Sequence, residues 1–261
     1  MLQQTPVARV EPVYLAWVRR WPTPAALAAE APGEAVRAWG RLGYPRRALR
    51  LHAAAVACVA QHGGEVPDDL DDLRALPGVG DYTAAAVAAF AFGRRVPVLD
   101  TNVRRVLARL LDGQAFERPG SPTRAERDQA WTALPSDDAR AARTSAALME
   151  LGAVVCTART PSCGTCPVSS HCSWLAAGRP EWDGPPRRGQ TYAGTDRQCR
   201  GRLLGVLRES PGPVTRAQLQ AVWDDDRQRE RALDSLVADG LVEALPRSRY
   251  RLPTGARTSE A

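Results

Sequence analysis

The stretch LPGVG, residues 76–80, is the part of the sequence that most strongly predicts the fold. A helical pattern precedes it, and residues 81–92 form another. Gly78 and Gly80 permit a tight turn between two helices, and the free N–H groups at the start of the second helix would then face a phosphate. Such a contact grips DNA without reading its sequence. A plain turn between helices is the alternative, and the pentapeptide alone does not decide between the two.

A carboxylate follows the turn after 19 residues, within the segment VLDTNV at residues 98–103. Asp100 directly precedes a predicted helix over residues 101–111, so it is suited to cap that helix. A carboxylate at a helix start also stays ionised, as a group that stabilises an electron-poor sugar must. Both interpretations of Asp100 stay open on the residues alone.

Four cysteines form the third motif. Cys156, Cys163, Cys166 and Cys172 follow the spacing C-x6-C-x2-C-x5-C. Four thiolates in one short loop suit tetrahedral zinc or a four-iron cluster. Zinc ribbons usually carry two C-x2-C pairs, and this loop has one. The spacing therefore favours an iron–sulfur cluster.

Composition limits the class of protein. The 261 residues contain no lysine, so all 35 basic side chains are arginine, and the net charge is +6. A basic balance permits a polyanionic partner. No stretch resembles a signal peptide or a membrane span, so we expect a cytoplasmic protein. The two cysteines outside the cluster, Cys58 and Cys199, are expected to be packing or surface residues.

The pattern along the chain is mainly α and predicts several domains. We expect a six-helix domain over residues 1–97, an iron–sulfur domain over 98–177, a linker over 178–196, a winged-helix-like domain over 197–253 and a tail over 254–261. In the winged-helix-like domain, Arg227, Arg229 and Arg231 open the third helix, and Arg247 and Arg249 lie at the wing. They are candidates for contacts with DNA phosphates. A solvated face of a packing module is the equal alternative.

The order of the three motifs resembles the helix-hairpin-helix DNA glycosylases that carry an iron–sulfur cluster. Three further stretches resemble the A/G-specific adenine glycosylases of that superfamily: MLQQT at residues 1–5, WGRLGY at 39–44 and MELGA at 149–153. The resemblance covers roughly residues 1–175. It implies the helix-hairpin-helix glycosylase fold, with one 4Fe-4S cluster held by the four cysteines.

By this resemblance, the reaction is hydrolysis of the N-glycosidic bond of adenine mispaired with 8-oxoguanine or guanine. Asp100 would stabilise the oxocarbenium-like sugar, and Asn102 would help to position Asp100. The target adenine must leave the base stack to be reached. The residues that match family positions at the DNA are Gln4 and Tyr44 for the gap that the adenine leaves, and Tyr82 and Glu150 for the adenine pocket.

The absence of lysine has a chemical consequence. Endonuclease III-type members of the superfamily attack the sugar with a lysine that follows the hairpin, and Tyr82 stands at that position here. Without a lysine side chain, the Schiff base that leads to strand cleavage does not form. The sequence therefore predicts a monofunctional glycosylase.

One family residue has no counterpart in the sequence. The general acid of the adenine branch is a glutamate two residues before the Met of MLQQT, and the given sequence begins at that Met. We expect that the start is misassigned to an internal Met, or else that the chain is truncated and lacks the family's first helix. Loss of a general acid typically costs on the order of 10²–10⁴ in rate. The domain that often reads 8-oxoguanine in this branch has no counterpart in the pattern either.

Two other functions stay open on the sequence. One is a glycosylase for another mispaired base such as thymine or uracil, and the other is a non-catalytic iron–sulfur protein that binds DNA. Glu150 and the MLQQT segment favour adenine over the first, and Asp100 favours catalysis over the second. We expect a monomer that acts on duplex DNA with an A:8-oxoguanine or A:G mismatch, at the nucleoid of a bacterial cytoplasm.

Overall fold

A computed structural model describes residues 1–2, 5–182, 184 and 192–255 of the chain, and these residues are mainly helical, as predicted. The helices are α1 (Val7–Arg20), α2 (Pro24–Ala28), α3 (Pro32–Trp39), α4 (Arg46–Gln61), α5 (Leu70–Ala75), α6 (Asp81–Phe90), α7 (Thr101–Leu110), α8 (Arg124–Ala133), α9 (Asp138–Glu150), α10 (Ser173–Ala176), α11 (Asp196–Glu209), α12 (Arg216–Gln220) and α13 (Asp226–Ala238). The strands are β1 (Val214–Thr215), β2 (Glu243–Leu245) and β3 (Arg249–Arg251). No helix in the described part of the chain is long and apolar enough to span a bilayer.

The chain divides into two compact units. The first unit contains residues 1–67, the turn residues 76–78 and the C-terminal part from residue 188 onward. The second unit contains residues 68–75 and 79–187. The first unit is therefore built from two distant parts of the sequence. The domain boundaries that the sequence suggests, at residues 97, 177 and 196, stay a prediction.

Tryptophan side chains hold the N-terminal helices of the first unit together. Val10 and Trp17 lie on one face of α1 and are buried, as is Trp21 just after the helix ends. Trp17 meets Trp21 and Trp39 edge to face, with ring centroids 4.8 and 5.7 Å apart. This is a favoured geometry for aromatic pairs. The cluster fixes α1 against α3.

The C-terminal module, which we define as residues 192–255, contains α11–α13 and a small sheet. The three strands are antiparallel in the order β1-β3-β2, and Ala244 pairs with Tyr250 in the hairpin. Thr215 forms a capping box with Gln218 at the start of α12, an exchange of hydrogen bonds that favours helix initiation. The helix ends at Gln220. Its assignment as a winged helix stays a prediction.

One hydrophobic cluster joins the C-terminal module to the N-terminal helices. Val36 of α3 and Leu207 of α11 are both buried members of it. Arg37 donates to the carbonyl oxygen of Ser210 at 2.9 Å, and Arg208 donates to that of Val36 at 3.0 Å. The first of these bonds satisfies a carbonyl just past the end of α11, where helical partners are lacking. Residues 197–253 thus share a core with α1–α4.

The second unit is arranged around α7. Helix α7 packs against α9 and α10, and α9 also packs against α6. Val103 and Leu107 of α7 are buried with Ala130 of α8 in one small hydrophobic cluster. At its C-terminal end, α9 continues as a wider π-helical turn over Leu151–Val155, which leads directly to Cys156. The chain therefore enters the cysteine loop from a helix that is anchored on α7.

Gly33 in α3 tests the packing of the C-terminal module. Its N–H donates to the carbonyl oxygen of Pro253 at 2.7 Å, and a Cβ at Gly33 would lie 2.5 Å from that oxygen. We expect Gly33→Ala to destabilise the first unit by roughly 1–3 kcal/mol, because an added methyl group overpacks the contact against backbone atoms. Urea unfolding followed by tryptophan fluorescence measures the change.

Gly205→Ala in α11 is the matched control. A Cβ at Gly205 meets nothing within 4 Å, and alanine is favoured over glycine inside a helix by roughly 0.5–1 kcal/mol. This variant is expected to be slightly more stable than the parent. Equal unfolding free energies for the two variants would show that the close approach at Gly33 is not needed.

Candidate functional site

Asp100 stands at the start of α7 with both carboxylate oxygens held in place. One oxygen accepts the backbone N–H of Val103 at 2.7 Å, and the other accepts the side-chain amide of Asn102 at 3.1 Å. The first bond is the N-cap that the sequence suggests. Asp100 is only half-buried, so its carboxylate is fixed but still reachable by a ligand.

Asn102 is held in turn by a buried arginine. Arg105 donates to the Asn102 Oδ1 at 2.9 Å, to the carbonyl oxygen of Gly152 at 2.6 Å and to that of Cys156 at 2.8 Å. Gly152 packs so closely that a Cβ there would lie 2.7 Å from the Asn102 Cβ. A continuous series of bonds therefore links the Asp100 carboxylate to the backbone of the first cysteine.

Two predicted pocket residues differ in their surroundings. Tyr82 is 37% exposed, and its partial burial, together with the negative charge of Asp100, raises the pKa of its hydroxyl. Tyr82 of α6 therefore stays neutral and able to donate a hydrogen bond near Asp100. Glu150, the last residue of α9, is exposed. The described contacts do not bring its carboxylate to Asp100.

The four cysteines line one pocket. These four cysteines form no disulfide, and all are of intermediate exposure. In the described part of the chain, no three His, Cys, Asp or Glu side chains converge closely enough to hold a single metal ion. Sulfur atoms spread around a pocket suit a multi-iron cluster better than one tetrahedral zinc. By contrast, Cys58 and Cys199 are buried in the first unit, and burial raises the pKa of both thiols.

Three arginines of α7 are buried, and sequence reasoning had not singled them out. Arg104, Arg105 and Arg109 are between 2% and 8% exposed. Arg104 bonds to the Glu126 carboxylate at 2.8 Å and to the carbonyl oxygen of Gly120 at 2.7 Å, which holds the loop before α8. A signal was present, because Arg105 and Arg109 are four residues apart and follow Asp100 on one helix.

The turn between α5 and α6 has the backbone that its glycines suggest. Gly78 adopts a left-handed conformation with φ of 78°, and a Cβ there would lie 2.5 Å from the Arg50 Cβ. Gly80 is the N-cap of α6 and has open space around it. Asp81, in the first turn of α6, is paired with Arg74. A carboxylate there shares the helix start with any incoming phosphate.

Tyr44 is presented to solvent by a strained loop. It is 54% exposed and has a φ of 48°, which is unusual for an aromatic residue. Trp39 Nε1 donates to the carbonyl oxygen of Gly43 at 2.9 Å, and the Arg47 guanidinium lies 5.4 Å from the Tyr44 ring centroid. Tyr44 is therefore not a core aromatic. Gln4 lies outside the described residues.

The arginines of the C-terminal module do not form one basic surface. Arg229 is 3% exposed and donates to the carbonyl oxygen of Trp223 at 2.7 Å, so its suggested contact with DNA phosphates is wrong. Its spacing placed it on the apolar face of α13, and the guanidinium caps the preceding turn instead. Arg231 pairs with Asp196. Arg227, Arg247 and Arg249 are exposed.

Comparison with known proteins identifies families and relatives that are similar to this chain. The family model of the HhH-GPD superfamily of base excision DNA repair proteins matches residues 1–128, and that of the iron-sulfur binding domain of endonuclease III matches residues 156–172. The adenine DNA glycosylase of Mycolicibacterium smegmatis is 58% identical over 97% of this chain and 84% of its own length. The adenine DNA glycosylase of Mycobacterium tuberculosis H37Rv is 56% identical over 97% of this chain and 83% of its own length.

The solved structure of a thermostable thymine-DNA glycosylase is similar with a TM-score of 0.59, at 28% identity over 67% of this chain and 80% of that chain. The predicted helix-hairpin-helix glycosylase fold is therefore confirmed, as is the predicted iron–sulfur cofactor.

The pocket predicts which cysteines hold iron. We expect replacement of Cys163 by serine to remove most of the bound iron and the visible absorption of the cluster, because one of four ligands is lost. Cys58→Ala is the matched control, since Cys58 is buried in α4 of the other unit. Iron analysis per folded chain measures both. A Cys163→Ser protein with full iron content would contradict the ligand assignment.

Proposed function

Because this chain belongs to the adenine DNA glycosylases of base excision repair, we propose that it hydrolyses the N-glycosidic bond of adenine mispaired with 8-oxoguanine or guanine. The observation that carries the proposal is the Asp100 carboxylate, which is fixed by two hydrogen bonds at the start of α7. Its partner is duplex DNA with such a mismatch, in the bacterial cytoplasm and at the nucleoid.

The Asp100 carboxylate supplies negative charge where the reaction creates positive charge. As the bond to adenine breaks, the sugar becomes oxocarbenium-like. A preorganised charge stabilises that transition state without having to reorient during the reaction. Asn102 and Arg105 are positioning residues in this proposal, because their hydrogen bonds keep the carboxylate from turning away. The N-cap bond to Val103 holds it from the other side.

The DNA contacts are divided among the remaining family positions. We assign Gly78 and Gly80 to contact with a DNA backbone phosphate at the hairpin. Neither residue has a side chain that would keep the phosphate away from the backbone of the turn. The exposed, strained Tyr44 would enter the gap that the extruded adenine leaves, and Gln4 is assigned to the same gap by sequence. In the adenine pocket, the neutral Tyr82 hydroxyl would offer a proton donor. Glu150 is assigned to that pocket by sequence.

We also propose that the enzyme is monofunctional. The chain holds no lysine, and the position of the attacking lysine in endonuclease III-type enzymes is occupied by Tyr82. A neutral phenol with a raised pKa is a poor nucleophile toward the sugar. The expected products are free adenine and an intact strand with an abasic site.

Base release over a panel of mismatched duplexes tests the proposed substrate. We expect adenine to be released from A:8-oxoguanine and A:G, and neither thymine nor uracil to be released from T:G and U:G. Single-turnover assays with excess protein, followed by alkaline cleavage at abasic sites, measure even slow chemistry. Release of thymine would instead indicate a thymine-DNA glycosylase, which is what the structurally similar protein is named.

Asp100→Asn is the decisive variant in the same assay. Asparagine keeps the N-cap but loses the charge, so the rate is expected to fall on the order of 10²–10³-fold with unchanged melting temperature. Asp137→Asn changes the exposed N-cap carboxylate of α9, which accepts the backbone N–H of Arg140 at 2.8 Å, and is the matched control. An Asp100→Asn protein that is as fast as the Asp137→Asn protein would exclude Asp100 as the catalytic carboxylate.

A further inference from the structure

Arg109 forms part of the wall of the cysteine pocket and is shielded from solvent. Its side chain is 2% exposed, and it lines the pocket with the four cysteines. Nη1 donates to the Cys156 Sγ at 3.3 Å. The guanidinium carbon lies 4.5 Å from the ring centroid of Trp174 and 5.5 Å from that of Phe116. The cation is therefore held between two aromatic rings and a ligand sulfur.

The other donors of Arg109 go to backbone carbonyl oxygens. They reach Ala115 at 2.9 Å, Thr157 at 2.8 Å and Ala158 at 3.1 Å. These hydrogen bonds go to carbonyl oxygens and not to a carboxylate. A buried charge is costly unless an opposite charge compensates it. A cluster held by the four thiolates would carry net negative charge and would compensate the charge of Arg109.

We propose that Arg109 raises the reduction potential of the iron–sulfur cluster. Reduction of a bound cluster would add one electron, and hence one negative charge, beside Arg109. A cation beside a ligand sulfur stabilises the reduced form more than the oxidised form, and solvent screens it little at this site. A hydrogen bond to the ligand sulfur acts in the same direction.

Two neighbouring arginines lack this geometry. The described bonds of Arg105 in the cysteine loop end on backbone carbonyl oxygens, including that of Cys156, and not on a sulfur. Arg159 lies inside the loop sequence but is exposed, so water and salt screen its charge. Within the described residues, the bond from an arginine to a cysteine sulfur is made by Arg109. The hydrogen bond to a ligand sulfur therefore distinguishes Arg109 from Arg105, whose buried charge also acts on Cys156.

Voltammetry of the intact protein without DNA tests the proposal. In Arg109→Gln, the ratio of reduced to oxidised cluster at a fixed potential is expected to fall roughly tenfold, a shift of about 59 mV to more negative potential for a one-electron couple. Arg159→Gln removes the same charge from the exposed loop and is expected to change the ratio less than about twofold. The electrode supplies the electron, and no step of adenine release is involved. Equal potentials for the two glutamine variants would overturn the proposal.

Arg109→Lys separates the effect of the positive charge from the effect of the hydrogen bonds that the guanidinium makes. Lysine keeps the positive charge but does not reproduce the planar fork of bonds. We expect this variant to take up iron and to keep a potential closer to the parent than to Arg109→Gln. If Arg109→Gln assembles no cluster, iron uptake by Arg109→Lys decides the question. If the lysine variant lacks iron as the glutamine variant does, or has the same potential as the glutamine variant, the charge of Arg109 does not set the potential. Arg109 would then only hold the loop in place.

The result is independent of the substrate. Failure of the mismatch assay leaves the potentials measurable, because the cluster needs no DNA to be observed. Failure of the redox prediction leaves the assignment of Asp100 untouched.

Discussion

The second unit depends on the burial of three positive charges along α7. A guanidinium that leaves water must find partners for its N–H groups, and most of those available here are backbone carbonyl oxygens. Arg104 donates hydrogen bonds to the loop before α8, Arg105 to the π-helical turn, and Arg109 to the segment after Cys156. Loops with little regular structure are thus fixed by donors on one helix. The same helix begins at Asp100, so the carboxylate and the cysteine pocket share one support.

The two interpretations of Asp100 turn out to be compatible. An N-cap needs an oxygen that accepts a backbone N–H, and a catalytic carboxylate needs a fixed orientation. The bond to Val103 supplies the first requirement and part of the second. Asn102 and Arg105 supply the remainder through side-chain bonds. A single helix start therefore serves the fold and the proposed chemistry with the same atoms.

The local elements could be predicted from the sequence, and the long-range ones could not. Helix α7 and its cap follow from a short polar residue before a periodic segment, and the cysteine pocket follows from spacing alone. The burial of Arg105 and Arg109 does not follow, because arginine is usually a surface residue and its partners are carbonyl oxygens far along the chain. The docking of the C-terminal module depends on the fit of Gly33 against Pro253. No pattern within either segment encodes such a fit.

The hydrophobic core shared by α1–α4 and the C-terminal module imposes an order on biosynthesis. Residues 68–75 and 79–187 are made after the first helices and form a unit of their own. At about 5–20 residues per second, the ribosome needs roughly 6–25 s to make that intervening segment. During this time the apolar faces of the first helices lack Leu203 and Leu207, which pack in the same hydrophobic cluster. The first unit therefore stays incomplete while the second unit is synthesised. In this interval its exposed apolar surface is open to binding by a chaperone.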